Sequence, residues 1–184
     1  MQPTVVSDIP PVLAYAAAQS PPHEVAVKGG GAHSSTWASS DGGIVIDLCR
    51  LNKVTLADDR KSIVVQGGAL WGDVYEVTSQ AQVDIVGSPL WFVGVGGFTL
   101  GGGYGPLSGK FGLAIDNLLA ATVVLADGRI VKTSPDDEPD LFWAIRGTFC
   151  CPLSATGLTM YRCTQVVADS SVSLLSSCSE CIPS

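Results

Sequence analysis

Glycine is the residue type through which this chain is best equipped to do chemistry, and it is concentrated in two dense clusters. The first reads Lys28-Gly-Gly-Gly-Ala-His33-Ser-Ser, and the second reads Gly94-Val-Gly-Gly-Phe-Thr-Leu-Gly-Gly-Gly-Tyr-Gly105. The stretch from Gly94 to Gly112 alone holds nine of the chain's 21 glycines in 19 residues. Without a side chain, the backbone can come within contact distance of a ligand and can adopt positive φ. Successive amides then point into one concavity and form a nest for an anion. Two nests in one small domain suit a pyrophosphate or a dinucleotide. The plain alternative is that the glycines only serve turns and tight helix-strand contacts.

The familiar nucleotide templates do not match. For GxGxxG, Gly94 and Gly96 are followed by Thr99, and Gly101 and Gly103 by Pro106. The P-loop pattern fails because Gly105 to Gly109-Lys110 has the wrong spacing and Phe111 follows. GxSxG is absent, so a serine hydrolase elbow is not supported.

Bulk properties narrow the classes further. The chain has 184 residues, 46% of them hydrophobic and 15% charged, enough apolar content for a buried core. Its net charge is -7, which repels phosphate backbones and argues against a nucleic-acid partner. An anionic cofactor would then be held by backbone amides more than by lysines. No run of 18 apolar residues predicts a membrane span. The chain as written opens without the charged start and apolar run of a secretory signal.

The elements that must position the clusters follow from periodicity. Ser7 is the expected cap of a helix running to Gln19, with Ile9, Val12, Leu13 and Ala16 as its apolar stripe. Strands are expected at Glu24 to Lys28, Gly43 to Leu48 and Lys61 to Gln66, and a helix from Leu70 to Ala81. Asn117 to Ala126 predicts a strongly apolar strand, Asp127-Gly128 a two-residue hairpin turn, and Arg129 to Thr133 the return strand. Glu138 to Arg146 predicts a short helix. Strands and helices mix without strict alternation, which predicts an α+β fold.

Six segments in order resemble one family. They are Val27-Lys-Gly-Gly-Gly, Ser40-Asp-Gly-Gly-Ile-Val-Ile-Asp-Leu48, Val65-Gln-Gly-Gly-Ala-Leu-Trp-Gly-Asp-Val74, the second glycine cluster, Gly112-Leu-Ala-Ile-Asp-Asn-Leu-Leu119, and Asp140-Leu-Phe-Trp-Ala-Ile-Arg-Gly147. Together they look like the FAD-binding domain of the vanillyl-alcohol-oxidase superfamily, in its berberine-bridge branch. The resemblance covers residues 1–147, about four-fifths of the chain. It implies two small α/β subdomains with FAD between them. It also implies oxidation of an alcohol, amine or sugar-type small molecule, with hydride passing to the flavin and O₂ reoxidising it. A non-catalytic FAD-binding fragment or scaffold is the rival reading.

Carried over by motif, Lys28, Gly29, Gly30, Gly31, Ala32, His33 and Ser34 would hold the pyrophosphate. Gly94, Val95, Gly96, Gly97, Leu100, Gly101, Gly102, Gly103, Tyr104 and Gly105 would line the isoalloxazine and diphosphate side, and Gly112, Asp116 and Asn117 would complete the site. The family's covalent flavin anchor is a histidine directly after the glycine run. Here Ala32 stands at that position and His33 follows one step late. Either a local shift lets His33 serve or the anchor is absent. Some members add a cysteine anchor before the second cluster; Leu90 occupies that position here. Family members are often secreted.

Residues 148–184 break the resemblance. They are rich in Ser and Cys and show no period that fits an element, and we read them as a segment from a different frame or an unspliced stretch, and the chain as a fragment lacking the family's C-terminal substrate domain. No residue is nominated as catalytic base. Cys178-Ser-Glu-Cys181 has CxxC spacing, but a second well-spaced pair and a nearby histidine are lacking, so no metal site is expected. With the end of the domain replaced, Phe142, Trp143 and the strand from Asn117 to Ala126 are expected to stay uncovered.

Overall fold

The computed structural model describes residues 1–32 and 38–146 in full, together with the backbone of two strands, Val166–Ser173 and Leu175–Ser176. Helices and strands are mixed, as expected, and the hydrophobic residues form two separate cores.

The smaller core belongs to the N-terminal part. Helix α1 (Ile9–Ala17) buries Ile9, Leu13 and Ala16, one face at helical spacing. It is shorter than predicted, because a 3-10 turn (Val6–Asp8) precedes it and Asp8, not Ser7, stands at its N-cap. The Asp8 carboxylate reaches back to the amides of Thr4 and Val5 at 2.9 and 3.1 Å, which fixes the entering chain. Strands β1 (Val25–Lys28) and β2 (Ile44–Asp47) pair in parallel beside it, with Lys28 opposite Asp47.

The larger core lies under a five-stranded sheet in the order β3-β4-β8-β6-β7, built from β3 (Val54–Leu56), β4 (Ser62–Gln66), β6 (Leu118–Val124), β7 (Ile130–Thr133) and β8 (Val166–Ser173). All its pairings are antiparallel. Helix α2 (Trp71–Ala81) buries Trp71, Val74 and Thr78, and helix α5 (Pro139–Ile145) buries Phe142 and Ile145. Successive residues of a strand face opposite ways. On β6 this makes one strand a shared wall: Val123 belongs to the larger core and Val124 to the smaller.

Several local expectations are corrected. The β6–β7 hairpin has a three-residue loop, because the Leu125 amide bonds the Arg129 carbonyl at 2.8 Å and leaves Ala126, Asp127 and Gly128 between them. Gly128 takes φ 85°, the left-handed end of a turn whose bulge adds the third residue. The short strands β3 and β5 (Val83–Asp84) escaped the periodicity reading, being too brief to show an alternation. The glycine-rich stretch is not all loop, since it contains helices α3 (Val95–Leu100) and α4 (Ser108–Phe111).

The largest difference is β8. Residues 148–184 show no period that predicts an element, yet Val166–Ser173 lies between β4 and β6 and pairs with both, while β9 (Leu175–Ser176) pairs with β5. Strand β6 is therefore paired along both edges rather than uncovered. Phe142 is buried in the larger core, while Trp143 and Leu119 of that expected surface are exposed.

Candidate cofactor cradle

Both glycine clusters leave an element and turn toward the same place. The first follows the C-terminal end of β1; the second enters α3. They touch at Gly30 and Gly94. A Cβ on Gly30 would lie 2.5 Å from the Gly94 amide nitrogen and 2.6 Å from its Cα, so only glycine fits the crossing. A third pair, Gly67-Gly68 at the end of β4, supports both from behind. A Cβ on Gly29 or on Gly96 would each stand 3.2 Å from the Gly67 carbonyl oxygen. Gly67 is absent from the predicted site residues; its signal in the sequence is a glycine pair closing an apolar run.

The crossing leaves amides without internal partners. Gly29, Gly30, Gly31 and Ala32 donate no backbone hydrogen bond to any described residue. In α3, the Val95 amide bonds the Ala69 carbonyl at 2.9 Å, while Gly96 and Gly97 sit in the first turn, whose amides have no acceptor within a helix. Gly97 faces open space, with nothing within 4 Å of where its Cβ would stand. This donor set fits an anionic dinucleotide such as FAD: it offers neutral amides in two adjoining nests and room above them.

Lysine contributes differently from what its place in the motif suggests. The Lys28 ammonium lies 3.1 Å from the Asp47 carboxylate, across the parallel pair that ends β1 and β2. Its stem passes under the Gly31 turn, 2.6 Å from where a Cβ would be. Burial pushes the Asp47 carboxyl up, but hydrogen bonds from Lys28 and from the Cys49 amide, with the ammonium's charge, more than reverse this and hold it below the ordinary carboxylate range. Lys28 therefore pins the start of the loop. Cys49 beside it is exposed, and its thiol is pushed up by desolvation and by Asp47, so it is not primed as a nucleophile.

The far wall is tied to the second cluster by backbone. The amides of Ala114 and Ile115 bond the carbonyls of Gly103 and Gly102 at 2.9 and 3.1 Å. Asp116 closes its own turn by accepting the Leu113 amide at 2.9 Å, and the Arg146 guanidinium meets its other oxygen at 3.4 Å. The Asn117 amide group donates to the carbonyls of Phe111 and Leu113 at 3.1 and 2.8 Å. Gly112, Asp116 and Asn117 thus build the wall's shape. Arg146 is not among the predicted site residues, and its contact with Asp116 spans 30 positions of sequence.

Val95 is the buried first residue of α3, Leu100 packs against the larger core, and Gly101 and Gly105 begin and end the segment that carries exposed Tyr104. Ala32 is exposed at the last described position of the first loop. His33 and Ser34 lie outside the described residues, as do Cys150, Cys151, Cys163, Cys178 and Cys181. Leu90 is half exposed on the segment leading to Gly94. Among the described residues no group of three or more His, Cys, Asp or Glu side chains could hold a metal, and no helix is long and apolar enough to cross a membrane.

The family model described as FAD binding domain matches residues 1–134. The FAD-linked oxidoreductase pgmH of Aspergillus terreus is 44% identical over 124 residues, covering 67% of this chain and 25% of its own length. Among solved structures, 6-hydroxy-D-nicotine oxidase from Arthrobacter nicotinovorans superposes with a TM-score of 0.82 at 30% identity, over 95% of this chain and 36% of that one. Glucooligosaccharide oxidase from Acremonium strictum, whose structure concerns a 6-S-cysteinyl, 8α-N1-histidyl FAD, gives 0.78 at 30% identity over 95% and 34%. The chain thus spans about a quarter of the length of the curated relative and about a third of the solved chains.

Proposed function

We propose, because this chain belongs to the FAD binding domain family, that its crossed glycine loops hold the diphosphate and flavin of FAD in an FAD-linked oxidoreductase. The observation that carries the reading is the Gly30–Gly94 contact, which merges two sets of unpaired amides into one cradle. In this reading Gly29, Gly30, Gly31 and Ala32, with Lys28 fixing their start, receive the diphosphate. Gly94 through Gly97 and Leu100 through Gly105 line the other side. Gly112, Asp116 and Asn117 close the wall, and His33 and Ser34 continue the first loop. The cofactor domain is assigned to residues 1–147, with β8 supplied to its sheet from residues 148–184.

When bound, FAD supplies the hydride acceptor for an alcohol, amine or sugar-type substrate, and O₂ its reoxidant. The residues present bind and orient. The amides would hydrogen-bond the diphosphate oxygens without a lysine clamp, and the buried Val95 face fixes α3 against the larger core. A second reading, an FAD-binding fragment or scaffold without turnover, rests on the short share of its relatives' length that this chain spans.

FAD titrated into the cofactor-free protein is expected to lose fluorescence on binding and to raise the melting temperature. At 100 times the Kd the stabilisation is about 2.7 kcal/mol. A colourless protein whose melting ignores FAD overturns the cradle. Precipitation of the loaded protein in acid then tests attachment. Flavin in the pellet supports a bond to His33; flavin left in the supernatant shows that the His33 anchor is absent.

A further inference from the structure

The segment that delivers Gly94 to its crossing is laced to a single helix. The first-turn amides of α2, Trp71 and Gly72, donate to the carbonyls of Val93 and Trp91 at 2.9 and 2.8 Å. These amides have no acceptor inside the helix, so the segment satisfies them. The Tyr75 hydroxyl, one turn further along α2, donates to the carbonyl of Ser88, which is itself buried. Ser88 also accepts the Leu90 amide on its hydroxyl at 3.1 Å, which folds the strap back on itself. Between these ties stand Trp91 and Phe92, 67% and 44% exposed. Among the described residues Tyr75 is the one side chain outside the strap that holds it by a hydrogen bond.

We propose that Tyr75 is a positioning residue of the cradle: its hydroxyl anchors the Ser88 end of the 88–93 strap and so sets where Gly94 crosses Gly30. The role rests on the reading of that crossing as the FAD cradle. A hydroxyl is suited to it because it donates along a fixed direction from a rigid ring. The ring itself is held against Trp71, with centroids 5.8 Å apart. Burial pushes the phenol up to about 12, so the group stays protonated and donating across the pH range in which proteins fold. At its Val93 end the strap is held by the Trp71 and Gly72 amides and by Val93 packed on the larger core; at its Ser88 end Tyr75 holds it. Between those ends Leu90, Trp91 and Phe92 are exposed, so the middle of the strap is placed by hydrogen bonds rather than by buried area.

Tyr75→Phe removes the hydroxyl and keeps the ring. The test is limited chymotrypsin digestion of the full chain without FAD, because Trp91 and Phe92 are exposed aromatic cleavage sites and Trp143 on α5 is a control, 79% exposed. Loss of one hydrogen bond is expected to speed cleavage at Trp91 and Phe92 about three- to tenfold, with Trp143 cleavage unchanged, and to raise the Kd for FAD by a similar factor. Tyr75→Met, which also lacks the hydroxyl and fills the ring's place with a flexible apolar chain, is expected to show the same local pattern and serves if Tyr75→Phe does not fold. Cleavage unchanged, or faster equally at all sites, overturns the latch, as does local loosening with an unchanged Kd. If the parent protein binds no FAD, the cradle reading falls, while the cleavage pattern still decides whether Tyr75 holds the strap.

Discussion

Gly30 and Gly94 touch backbone to backbone, and each occupies the space that a side chain on the other would need. The two lie 64 positions apart in the sequence, on loops that leave the smaller and the larger core respectively. Their contact makes one rigid lip of two loops. Any ligand held by the amides beside Gly30 is therefore registered against the first turn of α3, without a hinge between them.

Two alanine substitutions separate packing from binding at this lip. Gly30→Ala drives a Cβ into the Gly94 backbone and should destabilise the FAD-free protein by about 1–3 kcal/mol or more. Gly97→Ala meets open space in a helical turn and should leave the FAD-free protein equal or more stable by about 0.5 kcal/mol. It should still weaken FAD binding, because the added methyl enters the cradle. Urea denaturation with and without FAD checks both. Equal stability of Gly30→Ala and the parent would show that the loops do not need to touch.

The Lys28–Asp47 pair gives a pH dependence with a definite sign. Asp47 lies below its ordinary value of 3.8 in the folded protein, so its contribution is present at neutral pH and is lost as the pH falls through the folded value. In Lys28→Met the ammonium is gone, and only the Cys49 hydrogen bonds remain to oppose burial of the carboxyl. The acid limb of the stability profile should then begin at higher pH, with a loss of about 1 kcal/mol at pH 7 for a partly exposed pair. Denaturation midpoints measured between pH 3 and 7 test this; an acid limb that does not move would mean that Lys28 does not stabilise the Asp47 carboxylate.

Strand β8 makes the tail part of the domain. It is hydrogen-bonded to β4 on one side and β6 on the other, so removing residues 148–184 would split the sheet into the pairs β3–β4 and β6–β7. A chain ending at residue 147 should be recovered mainly in aggregates, since two opened edges expose unpaired amides and carbonyls. Soluble yield and strand content by circular dichroism are the measurements. A well-folded truncated chain that still binds FAD would show that the slot needs no strand.

Much of the site was legible because glycine is informative wherever it is dense. The clusters at 28–31 and 94–105, and their order with the other four segments, pointed to the cofactor. The apolar runs of β2 and β6 likewise announced buried strands, as Ile46 and Val123 are. The hairpin was legible in place but not in length, because the extra loop residue depends on which amide pairs with Leu125 and Arg129. Strand β8 was illegible: a segment reading Val-Val-Ala-Asp-Ser-Ser-Val-Ser has little strand preference of its own, and a strand's partners, not its residues alone, decide whether it forms.

By itself the sequence determined that two glycine runs would be free of side chains, that an acidic chain would offer amides rather than lysines to an anion, and which apolar stretches would seek burial. Those are local properties, carried by each residue wherever it goes. Only the tertiary structure decided that the runs meet at Gly30 and Gly94, that Lys28 turns to Asp47, and that Tyr75 reaches Ser88. Each of these joins residues from different segments at contact distance, and contact between distant segments is settled by how both cores pack around β6.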